Sequence, residues 1–187
     1  KTDIGNLAIA ICAEAVFPET FRAFSLMGAE VIIKMTMAEP FIMNDYWEYS
    51  NRTRAADNVC YIVAPNLGPY YTTPELGETY SVCGGKSMIV NYKGDIVKQV
   101  DHGNVASVPG EIFIKELRKY RTEAAAGLVL TQMRPGLWKQ IYEKWPDYPK
   151  NLYLDKTYPK AEDRMLMLFK AQHLGKLVSS GIHEAAE

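Results

Sequence analysis

Short apolar runs alternate with amphipathic stretches over the first third of the chain. Three of these runs carry β-branched or aromatic side chains and are bounded by polar or glycine-containing segments: 7–12, 31–33 and 59–64. Continuous apolar runs of this length are typical of strands buried on both faces of a sheet. Two helices are predicted between them, one beginning at Pro18 and one running from Asn44 to about Asn58. The alternation predicts an internal sheet in an α/β protein.

The pattern changes after the third of these strands. Residues 65–85 are rich in glycine, proline, threonine and tyrosine and show no periodicity, which predicts a long loop that covers another surface or has a function. Residues 87–100 predict two strands joined by a turn at Gly94. Helices are predicted over 112–126 and 162–178. This part of the chain therefore adds a hairpin and two helices to the internal sheet.

The segment 134–158 combines aromatic residues with proline and shows little helical or strand period. Its aromatic side chains include Trp138, Tyr142, Trp145, Tyr148 and Tyr153. Because an extended arm cannot bury these rings by its own folding, we expect the segment to lie across a neighbouring subunit of a homo-oligomer. The alternatives are an aromatic cage for a ligand and an arm that folds back over its own domain to cover 65–85.

The composition excludes several classes of protein. Of the 187 residues, 48% are hydrophobic and 23% are charged, and 21 Lys and Arg balance 22 Asp and Glu to a formal net charge of −1. This is typical of a globular domain and gives no electrostatic reason to expect a nucleic acid or an anionic membrane as a partner. The apolar run over 7–13 is far shorter than the roughly 18 residues that suggest a membrane span. A cytoplasmic location is therefore expected.

Three cysteines, Cys12, Cys60 and Cys83, are an odd number at wide spacings and fit neither a disulfide framework nor a four-ligand zinc site. Cys60 lies inside an apolar strand and is expected in the core. Cys12 closes a strand, precedes a tight connection to a helix and has Glu14 two positions on, so its side chain is aimed at the edge where α/β folds place their chemistry. Cys12 is therefore either a nucleophile or a small buried core residue. The three histidines lie in segments unlike a catalytic loop, so a Cys–His pair has weak support.

Residues 11–19 read Ile-Cys-Ala-Glu-Ala-Val-Phe-Pro-Glu, so Cys12 is followed by an acid two positions later and by aromatic-Pro-Glu five to seven positions later. This segment closely resembles the nucleophile segment of the nitrilase superfamily of carbon-nitrogen hydrolases. Further segments resemble that family in the same order: 28–32, 54–58, 64–66 and 85–89 with Gly94. The resemblance covers roughly residues 1–120, and the spacing after Cys12 is its most specific part.

The resemblance implies a four-layer α-β-β-α sandwich, of which residues 1–120 form the C-terminal part, while residues 121–187 form a helical or extended oligomerisation tail. It also implies that Cys12 attacks a small-molecule amide, N-carbamoyl compound or nitrile, with aliphatic amides favoured. Ammonia or an amine then leaves, and water hydrolyses the thioester without a metal or an organic cofactor. The backbone N–H of Ala13 is the expected oxyanion donor. The alternative is a catalytically silent scaffold that forms oligomers.

The same family places a Glu that acts as base, a Lys and a second Glu upstream of its cysteine. The present chain has only eleven residues before Cys12 and begins with Lys1 rather than Met. We therefore expect the chain to be the C-terminal portion of a longer polypeptide, or the partner of a separate N-terminal piece, and to be inactive by itself.

Two acidic residues are candidates for substrate binding, and each has a structural alternative. Glu14 either orients the substrate nitrogen or a neighbouring loop, or anchors the turn by accepting hydrogen bonds from backbone N–H groups. Glu39 stands beside Pro40 at the predicted carboxyl end of a strand. It either lines the pocket or is an exposed acid at the strand end.

Overall fold

The structure is a computed structural model of the chain. It describes residues 1–36, 45–68, 71–73, 78–79, 84–100, 106–124 and 128–145, together with residues 175, 178, 179 and 181. The chain divides into one compact unit over Lys1–Met133 and a second over Arg134–Glu187. The division at residue 120 that the sequence suggests stays a prediction.

Seven strands and four α-helices are present in the described residues. The strands are β1 (Leu7–Ile11), β2 (Val31–Met35), β3 (Tyr61–Ala64), β4 (Tyr71–Thr73), β5 (Glu78–Thr79), β6 (Met88–Val90) and β7 (Ile96–Gln99). The helices are α1 (Pro18–Leu26), α2 (Tyr46–Asn58), α3 (Ile114–Glu123) and α4 (Pro135–Tyr142). Two short 3₁₀ helices span Cys12–Val16 and Val129–Gln132.

Five strands form one sheet in the order β1-β2-β3-β6-β7. The first three are parallel, with α1 and α2 in the connections between them, whereas β6 is antiparallel to both β3 and β7. This confirms the predicted alternation and the hairpin around Gly94. The predicted loop over 65–85 is wrong in one respect, because β4 and β5 pair with each other within it. The threonine- and tyrosine-containing stretches there are compatible with short strands.

One face of the five-stranded sheet packs against α1 and α2. Phe21 of α1 and Trp47 of α2 are almost fully buried with Ile32, Ile62 and Val90 of the central strands. Pro18 stands at the first position of α1, where its fixed φ favours a helix and its missing N–H costs no hydrogen bond. These two helices therefore hold the sheet in place, and with it the connection that follows β1.

The opposite face carries α3 across the amino ends of the parallel strands. Leu117 of α3 is completely buried with Val31 and Tyr61. The Arg121 guanidinium donates hydrogen bonds to the carbonyl oxygens of Ala29 and Val59, just before β2 and β3. These bonds satisfy backbone acceptors that the sheet leaves unpaired.

Glu30 anchors the same helix by charge. Its carboxylate accepts hydrogen bonds from the Arg118 guanidinium, with Nη2 at 3.0 Å from Oε2, and from the backbone N–H of Asn6 at 2.8 Å. The Arg118 hydrogen bond lowers the pKa of Glu30 below its ordinary value of 4.5, against the opposing effect of burial. Because the pKa is lower in the folded state, the stabilisation is present above about pH 4.5 and is lost as the pH falls through the folded-state value.

Replacing Glu30 with glutamine is expected to lower the melting temperature by about 5 °C at neutral pH, since the charge-assisted bonds are lost. The difference from the native chain should shrink as the pH falls below 4.5, the ordinary pKa of the carboxyl. Thermal unfolding followed by circular dichroism across this range measures both effects. The matched control is Glu123→Gln, which removes an exposed pair with Lys119 at 3.7 Å and should change little. A fall in melting temperature of Glu30→Gln that did not change with pH would contradict this link between the Glu30 pKa and stability.

Toward the carboxyl ends of β1 and β2, the face that carries α3 is apolar and exposed. The register pairs Ile9 with Ile33 and Ile11 with Met35 on this face, and the Ile11 side chain is 60% exposed. The prediction that the first strand is buried on both faces is therefore wrong for β1 in the described part of the chain. A continuous apolar run does not reveal what covers it: α1 and α2 cover one face, α3 reaches only the amino ends, and β1 is an edge strand.

The second unit contains α4, so the prediction of an extended arm over 134–158 is wrong for this part. Pro135 occupies the first helical position, and Leu137 and Ile141 recur at helical spacing. The remainder of that segment beyond residue 145, with Tyr148 and Tyr153, lies outside the described residues. Most of the helix predicted over 162–178 lies outside them too, although 175, 178 and 179 are helical. Among the described residues, no helix has the length and apolar content needed to span a membrane.

Candidate active site

The residues that follow the three parallel strands lie at one edge of the sheet. Cys12 directly follows β1, Thr36 directly follows β2, and Asn66 lies two positions beyond β3. Thr36 and Asn66 form a parallel bridge, and Thr36 Oγ1 lies 3.9 Å from Cys12 Sγ. The carboxyl edge of parallel strands is where open α/β sheets bind ligands. The sequence-predicted nucleophile is thus at the expected edge, in contact with a threonine.

Cys12 occupies a strained turn with its thiol exposed. It is the first residue of the 3₁₀ helix Cys12–Val16 and has a φ of 46°, in the left-handed region that favours glycine. A non-glycine residue there costs about 1–2 kcal/mol, and such conformations cluster at functional sites. Within the described part of the chain, Cys12 is therefore not a buried core residue.

Glu14 closes the turn that carries Cys12. Its Oε2 accepts a hydrogen bond of 2.8 Å from the backbone N–H of Ile11, the residue before the cysteine. Its backbone carbonyl accepts a hydrogen bond of 3.3 Å from the N–H of Phe17, where the 3₁₀ helix ends. This is the geometry of a turn anchor, one of the two roles that the sequence left open.

Ala13 is the second residue of the 3₁₀ helix. The first N–H groups of a helix have no acceptor within that helix, so the Ala13 N–H is directed out of its amino end. The group immediately follows the cysteine and belongs to an exposed residue. Its position suits a donor to negative charge that develops beside the cysteine sulfur.

The connection before β6 is tied to the same edge. Asn66 Nδ2 donates to the carbonyl oxygen of Gly85 at 2.9 Å, and the Asn66 backbone N–H donates to Ser87 Oγ at 3.0 Å. Trp47 Nε1 donates to the carbonyl oxygen of Lys86 at 2.8 Å. These bonds attach residues 85–87 to β3 and α2, so the edge is held by side-chain hydrogen bonds as well as by strand pairing.

Lys34 lies beneath this edge on the helix-covered face of β2 and is almost fully buried. Its Nζ is 4.2 Å from the centroid of the Trp47 ring and 3.5 Å from Ser50 Oγ. An ammonium over an indole face is a stabilising cation–π arrangement. Sequence reasoning did not single out Lys34 or Thr36 as site residues. The sequence feature that could have indicated them is their position at the end of a predicted strand.

Of the other candidate residues, one is buried in the structure and the rest lie outside the described residues. Cys60 is completely buried, as expected, and burial raises the pKa of its thiol to about 12, so it is not a nucleophile near neutral pH. Glu39, Cys83 and the three histidines lie outside the described residues. Within the described part of the chain, no group of three or more His, Cys, Asp or Glu residues is arranged to hold a metal ion.

Comparison with known proteins identifies the family and the fold of the chain. The model of the carbon-nitrogen hydrolase family matches residues 1–122. A deaminated glutathione amidase from Synechocystis sp. (strain PCC 6803 / GT-S) is 26% identical over 151 residues, which are 80% of this chain and 45% of that protein. A formamidase from Photorhabdus laumondii subsp. laumondii is 31% identical over 116 residues, 62% of this chain and 32% of that protein.

Among solved structures, a carbon-nitrogen hydrolase from Helicobacter pylori G27 superposes with a TM-score of 0.62 at 20% identity. The match covers 78% of this chain and 52% of that one. The chain belongs to the carbon-nitrogen hydrolase family, and its fold is that of the nitrilase superfamily, as the motif around Cys12 predicted. The chain spans about half or less of the length of these relatives.

Proposed function

We propose that this chain supplies the thiol nucleophile of a hydrolase that cleaves a non-peptide carbon–nitrogen bond in a small amide, N-carbamoyl compound or nitrile. Cys12 carries the proposal: it is exposed, directly follows β1 and has a φ of 46° within the segment that the family model matches. A strand-end turn of this kind presents a nucleophile to a ligand without burying it in the sheet.

For an amide, the reaction proceeds through a thioester on Cys12. The thiolate sulfur forms a bond to the carbonyl carbon, and the electron pair of the C=O bond moves to oxygen, where the Ala13 N–H donates a hydrogen bond. Collapse of this intermediate breaks the C–N bond, and the nitrogen takes a proton from a general acid and leaves as ammonia or an amine. Water then adds to the thioester carbon and releases the acid with the thiol restored.

We propose that the base and the second oxyanion donor lie outside the described part of the chain. The Glu14 and Glu30 carboxylates are engaged with Ile11 and with Arg118, respectively. The exposed apolar face at Ile9 and Ile11 is compatible with a further layer of protein beside Cys12. We propose that the family's Glu, Lys and second Glu lie in an upstream segment and that the 187-residue chain is inactive by itself.

The substrate class rests on the relatives alone. A formamidase and a deaminated glutathione amidase both act on amides by their names, which favours an amide, and an aliphatic amide fits the formamidase likeness. Glu14 and Glu39 remain proposed substrate-binding residues; Glu14 would act through the turn that it closes. No metal or organic cofactor enters the proposed reaction.

The test is to trap the acyl intermediate on the longer polypeptide that contains this chain. Incubation with acetamide, an N-carbamoyl amine or acetonitrile should give an adduct that intact-mass analysis places on Cys12. The adduct should be absent from Cys12→Ala and retained in Cys60→Ala. Hydrolysis without any adduct, surviving in Cys12→Ala, would make the assignment wrong. Absence of both adduct and hydrolysis with every substrate would favour the silent scaffold.

We also propose that the protein is a homo-oligomer held through its C-terminal tail. The apolar residues of α4 share one side of the helix and are about half exposed: Leu137, Trp138, Ile141 and Tyr142. An apolar helix face of this kind is unfavourable in water and is removed when two copies pack together.

Truncation after Met133 is expected to convert the oligomer into a smaller species, because it removes the second unit and α4 with it. Light scattering on the full chain and on the truncated chain gives the masses. A full-chain variant, Leu137→Glu with Ile141→Glu, should have the same effect without deletion. The matched control is Lys139→Glu on the same helix, whose side chain is 72% exposed. A monomeric full chain, or an assembly that survives truncation, would rule out this interface.

A further inference from the structure

The side-chain contact between Thr36 and Cys12 follows from the register of the sheet. Ile11 at the end of β1 is paired with Met35 at the end of β2, so the next residues, Cys12 and Thr36, lie side by side. Thr36 Oγ1 is the donor and Cys12 Sγ the acceptor, at 3.9 Å. Sulfur accepts hydrogen bonds at longer distances than oxygen does because its atomic radius is larger.

Thr36 is held on both sides by backbone hydrogen bonds. Its N–H donates to the carbonyl oxygen of Pro65 at 3.3 Å, and its carbonyl accepts the N–H of Leu67 at 3.2 Å. A β-branched side chain has few accessible χ1 rotamers when its backbone is fixed. The hydroxyl is thus carried by a backbone that is hydrogen-bonded on both sides, next to the exposed turn of Cys12.

A hydroxyl that donates a hydrogen bond to sulfur interacts differently with a thiolate and with a neutral thiol. Its hydrogen bond to a thiolate is charge-assisted and stronger than its bond to a neutral thiol. The hydroxyl itself is neither an acid nor a base near neutral pH, so it acts only through Cys12. Among the described residues, Thr36 supplies the side-chain hydrogen bond to Sγ.

We infer that Thr36 is a positioning residue for the nucleophile: its hydroxyl donates to the Cys12 sulfur and orients it for attack on the substrate. The inference deepens the proposed function and rests on it for the identity of the reaction. The contact itself concerns only the reactivity of one thiol, which is measured without a substrate.

The experiment compares alkylation of Cys12 by iodoacetamide in the native full chain, in Thr36→Val and in Thr36→Ser. Valine keeps the β-branched shape and removes the donor, whereas serine keeps the donor. Peptide mass mapping over a series of pH values gives the rate constant at Cys12. Thr36→Val is expected to react about three- to tenfold more slowly than the native chain, because it loses one hydrogen bond to the reacting sulfur. Thr36→Ser should follow the native profile.

Two results would overturn the inference: a Thr36→Val rate that coincides with the native rate over the pH series, or a Thr36→Ser rate as low as that of the valine variant. If valine unfolds the chain, Thr36→Ala is measured in its place, with circular dichroism reporting the fold of each variant. Alkylation needs no upstream base, so the proposed function is judged separately. Slower alkylation of Thr36→Val in a polypeptide without hydrolase activity would support the role of Thr36 and remove the proposed reaction; an unchanged rate in an active enzyme would do the reverse.

Discussion

Cys12→Ala is expected to reduce the proposed amide hydrolysis of the proposed longer polypeptide by about 10³-fold or more, since removing the nucleophile of a covalent mechanism leaves only binding and oxyanion stabilisation. Ammonia release under saturating and limiting substrate gives kcat and kcat/KM. Both should fall together, because the bond to sulfur forms only on the way to the transition state. The folded state should persist, since the thiol is exposed and its main side-chain contact among the described residues is the 3.9 Å approach of Thr36.

The matched control for this substitution is Cys60→Ala. Cys60 is completely buried in the helix-covered core, so its loss removes a thiol without touching the edge of the sheet. It should retain native kcat/KM with a modest loss of stability. If both alanine variants kept most of the activity, the reaction would not pass through either of these thiols.

Trp47→Ala is expected to lower the free energy of unfolding by about 3–5 kcal/mol, the range for an aromatic residue deleted from a packed core. Trp47 is 1% exposed, lies under the ammonium of Lys34 at 4.2 Å and donates to the Lys86 carbonyl at 2.8 Å. The substitution therefore opens a cavity, leaves a buried cation without its aromatic partner and frees the connection before β6. Urea unfolding monitored by circular dichroism measures the loss.

Trp47→Phe separates these effects. Phenylalanine keeps a ring for the Lys34 ammonium and most of the packing, but it cannot donate a hydrogen bond to the Lys86 carbonyl. The expected loss is about 1–2 kcal/mol, from one hydrogen bond and a smaller side chain. If Trp47→Ala destabilised the chain no more than Trp47→Phe does, the packing and cation–π contributions assigned to this residue would be wrong.

Sequence reasoning placed the proposed nucleophile at the end of β1 because the evidence for that position is local. The apolar run of β1, Pro18 at the start of α1 and the spacing from Cys12 to Glu19 are all contained in a window of about a dozen residues. The contact of Thr36 with Cys12 could not be predicted, because a local sequence pattern does not determine strand register. It depends on Ile11 facing Met35 across 24 residues of chain, and a shift of one residue would turn Thr36 to the other face.

Side-chain burial also could not be predicted from the hydrophobic periodicity of the sequence. Lys34 is buried although its residue type is usually exposed, because the Trp47 ring lies against its ammonium. Ile11 is exposed although its apolar run suggested burial, since nothing in the described part of the chain covers that end of the face. α4 was missed because the aromatic and proline content of the tail obscured a short run of helical spacing at 137 and 141.

At the left-handed turn of Cys12, the stability of the chain and the proposed role of the side chain make conflicting demands. With a φ of 46°, position 12 is one where glycine would relieve backbone strain of about 1–2 kcal/mol that any other residue must bear. Selection for a well-folded chain alone would therefore favour glycine here, whereas the proposed function requires the thiol side chain. A descendant of this scaffold that had abandoned catalysis would gain stability by exchanging its cysteine for glycine. Under the proposed function, the residue at this one turn distinguishes a working hydrolase from a scaffold that merely retains its shape.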